Sequence, residues 1–267
     1  MNLPDLSTGN DPGPDFARLL RSNGTEPFPP AHGASSHDIT HATTCVAVRY
    51  TDGVVMAGDR RATAGNLISH RSIEKVFSAD RHSAVAIAGA AGPAVEMVRL
   101  FQLQLEHYEK VEGSPLSLEG KANQLGQMLR SNLPAAMSGL AVVPIFAGYD
   151  LGRDTGRLFE YDITGGRYEE SDYAATGSGS LHAETVIKVG YQRGMTADEA
   201  IGLLAESLFQ AADSDSATGG ADRLRNIYPI FATISAEGFE RVPDETVGTH
   251  FVEIAERFAA NHREVQS

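Results

Sequence analysis

Tryptophan is absent from this chain, and cysteine occurs once, at Cys45. One cysteine excludes an intrachain disulfide and a cysteine-rich zinc site. Read as part of a buried strand, Cys45 is a small apolar filler. Basic residues are scarce: 22 Lys and Arg against 35 Asp and Glu leave a net charge of −13. Phosphate-backbone binding draws its affinity from Lys and Arg, so no nucleic-acid partner is expected. Long apolar runs are also missing; none approaches the ~18 residues of a membrane span. The N-terminus carries Asp5, Asp11 and Asp15 where a secretion signal would be basic, and it has no apolar core. A cytoplasmic protein with no membrane partner is the expectation. There is no Gly-x-Ser-x-Gly elbow of a serine hydrolase. His37 and His41 are four apart but have no helical pattern around them to align a metal.

Proline is present but unevenly spread. Pro4, Pro12, Pro14, Pro27, Pro29 and Pro30 place half of the 12 prolines in the first 42 residues. Glycine, serine and asparagine are mixed among them, and such a segment buries too little apolar surface to offset its ordering entropy. Residues 1–42 read as a leader; a merely disordered tail would have the same composition. One short amphipathic piece, residues 16–20, has the pattern of a docking helix turn. Residues 43–267 read as the folded domain.

The folded pattern starts at Thr43-Thr44-Cys45-Val46-Ala47-Val48. β-Branched and apolar residues predict strands over 44–50 and 54–58, with Thr51-Asp52-Gly53 as the turn. Ala64-Gly65-Asn66 is a further turn signal. Strands at 73–78 and 83–89 form a second hairpin, and four consecutive strands with short links suggest one antiparallel sheet. Gly92-Pro93 opens a helix, because proline is tolerated at a first helical position. A second helix covers 117–137, with a break near Pro134. Strands follow at 142–149, 157–162 and 168–175, then helices at 181–193 and 197–212. A strand at 227–235 and a short helix at 252–259 close the chain. Strands, two helices, strands, two helices and a strand predict an α+β fold. Each helix pair covers one sheet and the sheets pack together, giving a four-layer αββα sandwich of two antiparallel sheets.

Several polar residues fall at the ends of these elements, where a rigid scaffold can aim them. They are Thr43, Asp59, Lys75, Ser178 and Asp215, with Gly89 ending one strand. A threonine hydroxyl is a weak nucleophile and needs a base. If the chain is cut before Thr43, the new α-amine has a reference pKa of about 7.7–8.0, against about 10.4 for lysine. It then takes a proton near neutral pH, and threonine with its own N-terminal amine is a recognised nucleophile–base pair. Lys75 beside the hydroxyl would favour the alkoxide and disfavour a second cation. Asp59 would hold Lys75, and the Gly89 N–H is a candidate oxyanion donor. Singly, each residue has a plainer reading. Thr43 could simply precede a strand, Asp59 could be a turn residue, and Lys75 a solvated strand residue. Gly177-Ser178-Gly179 and Thr218-Gly219-Gly220 have ordinary turn compositions.

Taken in order, Thr43-Thr44, Gly58-Asp59-Arg60-Arg61-Ala62-Thr63, the Lys75 strand, Ile87-Ala88-Gly89, Gly177-Ser178-Gly179-Ser180 and residues 215–220 (Asp-Ser-Ala-Thr-Gly-Gly) resemble a proteasome β-subunit. Residues 105–110 (Leu-Glu-His-Tyr-Glu-Lys) and 213–220 are similar to the bacterial, actinobacterial type. The likeness runs from Thr43 to about Phe258. It implies an N-terminal-nucleophile hydrolase, a threonine endopeptidase of the proteasome core particle that degrades unfolded or tagged proteins. By the same resemblance it is made as an inactive zymogen and activated by autocatalytic cleavage between Ala42 and Thr43. Thr43 is then the nucleophile and new N-terminus, with Asp59 and Lys75 as its charged neighbours. Ser178, Asp215 and Thr218 surround the amine and the deacylating water, and Gly89 supplies the oxyanion N–H. Ala62, Thr63, Ile73, Ile87, Ala91 and Val95 correspond to substrate-binding positions. They carry no charge, so a chymotrypsin-like preference for large apolar residues is expected. The resemblance implies no metal and no organic cofactor. It implies partners: α-subunits and other β-subunits in stacked seven-membered rings, with an ATPase ring and a ubiquitin-like protein tag delivering substrates.

Ala42 stands where relatives usually have glycine, and Thr44 is an alternative cut site. Alternation along a strand sends the Thr43 and Thr44 side chains to opposite faces, so only one can enter the site. Three rival readings stay open here. Gly177-Ser178-Gly179 with Ala183 fits a dinucleotide-binding glycine pattern, although a second parallel strand does not follow. A noncatalytic subunit of the same fold would lack the threonine, aspartate and lysine. A simpler two-ring threonine protease has little leader and a shorter chain.

Overall fold

The computed structural model describes residues 18, 20, 43–65 and 67–264. The leader reading, with its 16–20 helix turn, Ala42 and the pair His37 and His41, lies outside them apart from Arg18 and Leu20.

One five-stranded sheet runs in the order β10 (Tyr173–Gly177), β1 (Thr44–Tyr50), β2 (Gly53–Gly58), β11 (Ile230–Ser235), β12 (Gly238–Arg241). The other runs β5 (Val76–Asp80), β6 (Ser83–Gly89), β7 (Val142–Asp150), β8 (Thr155–Tyr161), β9 (Arg167–Glu170). Every pairing in both sheets is antiparallel. A small separate hairpin joins β3 (Ala62–Ala64) to β4 (Leu67–His70). Helices α1 (Ala91–Glu112) and α2 (Leu118–Ser131) cover the β6–β7–β8 face, with short α3 (Leu133–Met137) after them. Helices α4 (Ser180–Gly190), α5 (Ala197–Ser214) and α6 (Asp244–Glu264) cover the β1–β2–β11 face.

Three apolar layers follow, one per interface, and together they make the αββα sandwich. β1 shows how the sequence builds it. Val46 and Val48 face α4 and α5, while Cys45 and Ala47 face the opposite sheet. Both faces are buried, so the strand is a near-continuous apolar run rather than an alternation. Burying each large side chain, such as Phe146 or Phe231, contributes on the order of 1.5–3 kcal/mol.

Local signals start and stop the helices. Ser117 caps α2 through its hydroxyl, which accepts from Gly120 N at 3.1 Å. Thr196 and Glu199 form a capping box on α5. Gly113, at φ 71°, ends α1 in the left-handed conformation.

The structure corrects the sequence reading in several places. The first four long strands do not share one sheet: β1 and β2 lie in one, β5 and β6 in the other. The strand expected over 168–175 is two strands, β9 and β10, in different sheets. The chain switches sheets at Ser171-Asp172, whose carbonyls are held by Arg49 Nη1 and Arg49 N at 2.9 and 2.8 Å. The strand expected at 73–78 begins only at Val76, because Ile73 N donates to the Arg60 carbonyl at 3.0 Å instead of joining the sheet. Lys75 therefore precedes the strand. Likewise β11 starts after Pro229, which has no N–H to give a ladder. The closing helix is much longer than residues 252–259, starting directly after Pro243 with Asp244 and Glu245 in its first turn. The hairpin β3–β4 and strand β12 were not anticipated.

Candidate active site

Asp59 follows the last residue of β2 and is fully buried. A buried carboxylate costs several kcal/mol unless its lone pairs are met. Here Oδ1 accepts from Thr44 N at 2.9 Å and Lys75 Nζ at 2.5 Å. Oδ2 accepts from Arg61 N and Gly219 N, both at 2.8 Å. Three chain segments are thus tied to one side chain. Lys75 is buried too, and Nζ also donates to the Arg61 carbonyl at 2.6 Å. Its own carbonyl accepts from Ile87 N at 2.9 Å, which fixes it against β6.

A second carboxylate gathers hydroxyls. Asp215 Oδ2 accepts from Ser178 Oγ at 2.5 Å and Thr218 Oγ1 at 2.6 Å, while Oδ1 accepts from Ala217 N at 3.1 Å. Burial opposes the Asp215 charge, but the bonds from Ser178, Thr218 and Ala217 outweigh it and hold the carboxyl below its ordinary range. Thr218 Oγ1 also lies 2.6 Å from Thr44 Oγ1, which in turn accepts from Gly179 N at 3.1 Å. The glycines around Ser178 have steric reasons. Gly177 has φ +102°, and a Cβ there would sit 1.7 Å from the Thr43 carbonyl oxygen. A Cβ on Gly179 would sit 2.4 Å from Thr44 Oγ1.

Thr43 immediately precedes β1 and is buried, with its carbonyl accepting from Ser178 N at 2.8 Å. It lines a small cavity together with Lys75 and Gly89. The alternation expected of the threonine pair is what the contacts describe: Thr43 borders the cavity, whereas Thr44 turns to Thr218 and is fully buried. Ala62, Ile73, Ile87, Ala91 and Val95 line the same cavity; Thr63, buried in β3, does not.

The sequence reading missed four neighbours. Ala94 lines the cavity one helical turn from Ala91, a spacing that could have revealed it. Glu74 also borders it, with Oε1 accepting from Arg241 Nη1 at 2.9 Å. No sequence signal joined Glu74 to a residue on β12. As partners of the two carboxylate clusters, Thr44 and Gly219 were missed: Thr44 was read as an alternative cut site and Gly219 as part of a turn motif. Cys45 is the filler expected of it. Its Sγ donates to the Ile87 carbonyl at 3.4 Å, and burial pushes the thiol up to about 12.

Comparison with known proteins now bears on this arrangement. Residues 39–225 match the family described as proteasome subunit. The chain belongs to the proteasome subunit family. Among curated relatives, it is 53% identical to "Proteasome subunit beta" of Acidimicrobium ferrooxidans over 253 residues, 94% of this chain and 93% of that one. It is 58% identical to the protein of that name in Streptomyces griseus over 222 residues, 83% and 78% of the two chains. The Acidothermus cellulolyticus protein of that name is 56% identical over 220 residues, 81% and 76% of the chains. The chain is a β-type proteasome subunit and a threonine endopeptidase. The dinucleotide-binding alternative is overturned. Its glycine pattern sits where β10 closes on Thr43, and both sheets are antiparallel throughout, whereas that motif opens a parallel βαβ unit. Among the described residues, no helix is long and apolar enough to cross a membrane.

Proposed function

We propose that Thr43 is the nucleophile of this threonine endopeptidase and that residues 1–42 are a leader removed by the chain itself. The observation carrying this reading is the meeting of Thr43, Lys75 and Gly89 on one cavity, with Lys75 ion-paired to buried Asp59. In the precursor the Thr43 nitrogen is an amide and takes no proton. The Thr43 hydroxyl adds to the Ala42 carbonyl, the C–N bond breaks, and the resulting ester is hydrolysed by water. The freed α-amine then serves as base. It takes the hydroxyl proton as Thr43 attacks a substrate carbonyl and gives a proton to the leaving amine. Water then releases the acyl group. Lys75, ion-paired with Asp59, stands beside the alkoxide, the Gly89 N–H donates to the oxyanion, and Ser178, Asp215 and Thr218 surround the amine.

The cavity beside Thr43 is the primary specificity pocket in this reading. Its walls include Ala62, Ile73, Ile87, Ala91 and Val95, all apolar, and the one acidic neighbour, Glu74, is paired with Arg241. Cleavage after large apolar residues follows. As a proteasome subunit, the chain assembles with other α- and β-subunits. We extend this to stacked seven-membered rings in the cytoplasm, fed by an ATPase ring that receives proteins carrying a ubiquitin-like tag.

Intact-mass measurement on the assembled particle tests the central step. Loss of 42 residues, leaving 225, is expected, with peptidase activity abolished in Thr43→Ala. Fully active particles that keep the leader, or turnover by Thr43→Ala, would overturn it.

A further inference from the structure

We propose that Thr44 is a positioning residue that donates its hydroxyl proton to Thr218, holds that hydroxyl in place within the Asp215 cluster and leaves it a single free lone pair. The inference rests on the assignment of Thr43 and its freed amine proposed above. Asp215 is held ionised, so its oxygens only accept. The single proton of Thr218 Oγ1 goes to Asp215 Oδ2, 2.6 Å away. At the 2.6 Å contact between Thr44 Oγ1 and Thr218 Oγ1, either oxygen could donate on geometry alone. The proton of Thr218 is already committed, so Thr44 is the donor. Gly179 N–H, at 3.1 Å, fills the acceptor side of the Thr44 hydroxyl. One ordered chain results: Gly179 N–H to Thr44, Thr44 to Thr218, Thr218 to Asp215.

That order matters to whatever arrives beside Thr218. A hydroxyl has one proton and two lone pairs. With its proton on Asp215 and one lone pair filled by Thr44, Thr218 has only a lone pair left to offer. Ser178 is in the same condition, because its proton also goes to Asp215, at 2.5 Å. Both hydroxyls can then accept from the N–H groups of a freed Thr43 amine, and neither can donate to its lone pair. The amine lone pair stays available to the Thr43 hydroxyl. Thr44 also anchors the new N-terminus by its backbone, donating to Asp59 Oδ1 at 2.9 Å and accepting from Asp59 N at 3.1 Å. It is thereby joined to both carboxylate clusters.

The test compares Thr44→Val and Thr44→Ser with wild type on assembled particles whose N-terminus is verified as Thr43. Valine keeps the shape and β-branching but removes the hydroxyl; serine keeps the hydroxyl. The expected result is a ten- to hundred-fold fall in kcat for Thr44→Val with KM changed less than threefold, and recovery to within threefold of wild type in Thr44→Ser. On a Thr218→Ala background, Thr44→Val should cause no further loss, because Thr44 acts through Thr218. Wild-type kcat in Thr44→Val, equal loss in Thr44→Ser, or a full further loss on the Thr218→Ala background would each overturn the proposal. If Thr44→Val does not assemble, Thr44→Ala is measured against the same criteria. The parent reading fails separately: it falls if Thr43→Ala retains turnover, whatever Thr44 does.

Discussion

Lys75 Nζ lies 2.5 Å from Asp59 Oδ1, with both groups out of water, yet the two partners depend on each other unequally. Asp59 keeps three backbone N–H donors if the lysine is removed. Lys75 keeps only the Arg61 carbonyl if the aspartate is removed, and three amides lose their acceptor with it. Lys75→Ala should therefore retain the fold, losing about 1–3 kcal/mol, while peptidase activity falls to background. Asp59→Ala leaves a buried cation and should cost about 3–5 kcal/mol. Thermal melts of both variants check the order. Equal destabilisation would mean that the amides around Asp59 contribute little.

Gly179 and Gly92 should respond in opposite ways to alanine. A Cβ on Gly179 meets Thr44 Oγ1 at 2.4 Å and Thr218 Oγ1 at 2.7 Å, both buried hydroxyls with fixed partners. Gly179→Ala should lose about 1–3 kcal/mol together with most activity. Gly92, in the first turn of α1, has nothing within 4 Å of its Cβ position. Gly92→Ala should leave the melting temperature unchanged or raise it, by up to about 1 kcal/mol in stability. Differential scanning of the two variants side by side decides the matter.

Much of this was legible in the sequence, and the failures have physical causes. Thr44–Tyr50 and Ser83–Gly89 were read to the residue because apolar and β-branched runs bounded by turn signals leave little choice. The sandwich followed from element order. Sheet membership did not, since β2 and β5 look like neighbours along the chain and their separation depends on packing of the two sheets. Ser171-Asp172 was a turn composition passed over inside an apparent strand. At the site, Thr43, Lys75 and Gly89 came from residue chemistry and motif order. Thr44 was obscured because a threonine in a strand is unremarkable until its partners, Thr218 and Gly179, are known. Sequence separation of that size carries no local signal.

Asp215 gives a pH dependence of definite sign. Burial opposes its charge, yet Ser178, Thr218 and Ala217 together lower the folded value, below an unfolded value of about 3.9. The associated stability is present above the unfolded value and is lost as pH falls through the folded one. Ser178→Ala removes one of the hydroxyls and narrows that difference. The variant should melt below wild type at neutral pH, and the gap should close on acidification below about pH 4. Melting curves from pH 7 to pH 3 test this. A gap that stays constant would place the Ser178 contribution elsewhere than the Asp215 charge.

Cys45 should be chemically silent while the fold is intact. Its sulfur is fully buried and bonded to the Ile87 carbonyl, and burial pushes the thiol up to about 12. The thiolate is the reactive form, so at pH 8 almost none is present. Iodoacetamide should leave native particles unlabelled and fully active, with a single adduct appearing only in denaturant, since the chain has one cysteine. Rapid alkylation with loss of activity would contradict the closed inter-sheet layer around β1.

Ala91 offers the most direct probe of the proposed specificity pocket, because a charge there is compatible with the fold. It is the first residue of α1, only partly buried, and lines the cavity with Ile87 and Val95. The first turn of that helix has no acidic residue, and a carboxylate at a helix N-terminus stabilises by about 0.3–1 kcal/mol. Ala91→Asp should thus assemble normally while placing a negative charge on the apolar wall. Peptides ending in lysine or arginine should gain on leucine-ended ones by at least tenfold in kcat/KM, which corresponds to ~1.4 kcal/mol of differential transition-state binding. The two peptide series, run on wild type and variant, give the answer. An unchanged ratio in a particle that still turns over would show that the residue preceding the scissile bond binds outside this cavity, and the proposed apolar preference would lose its basis.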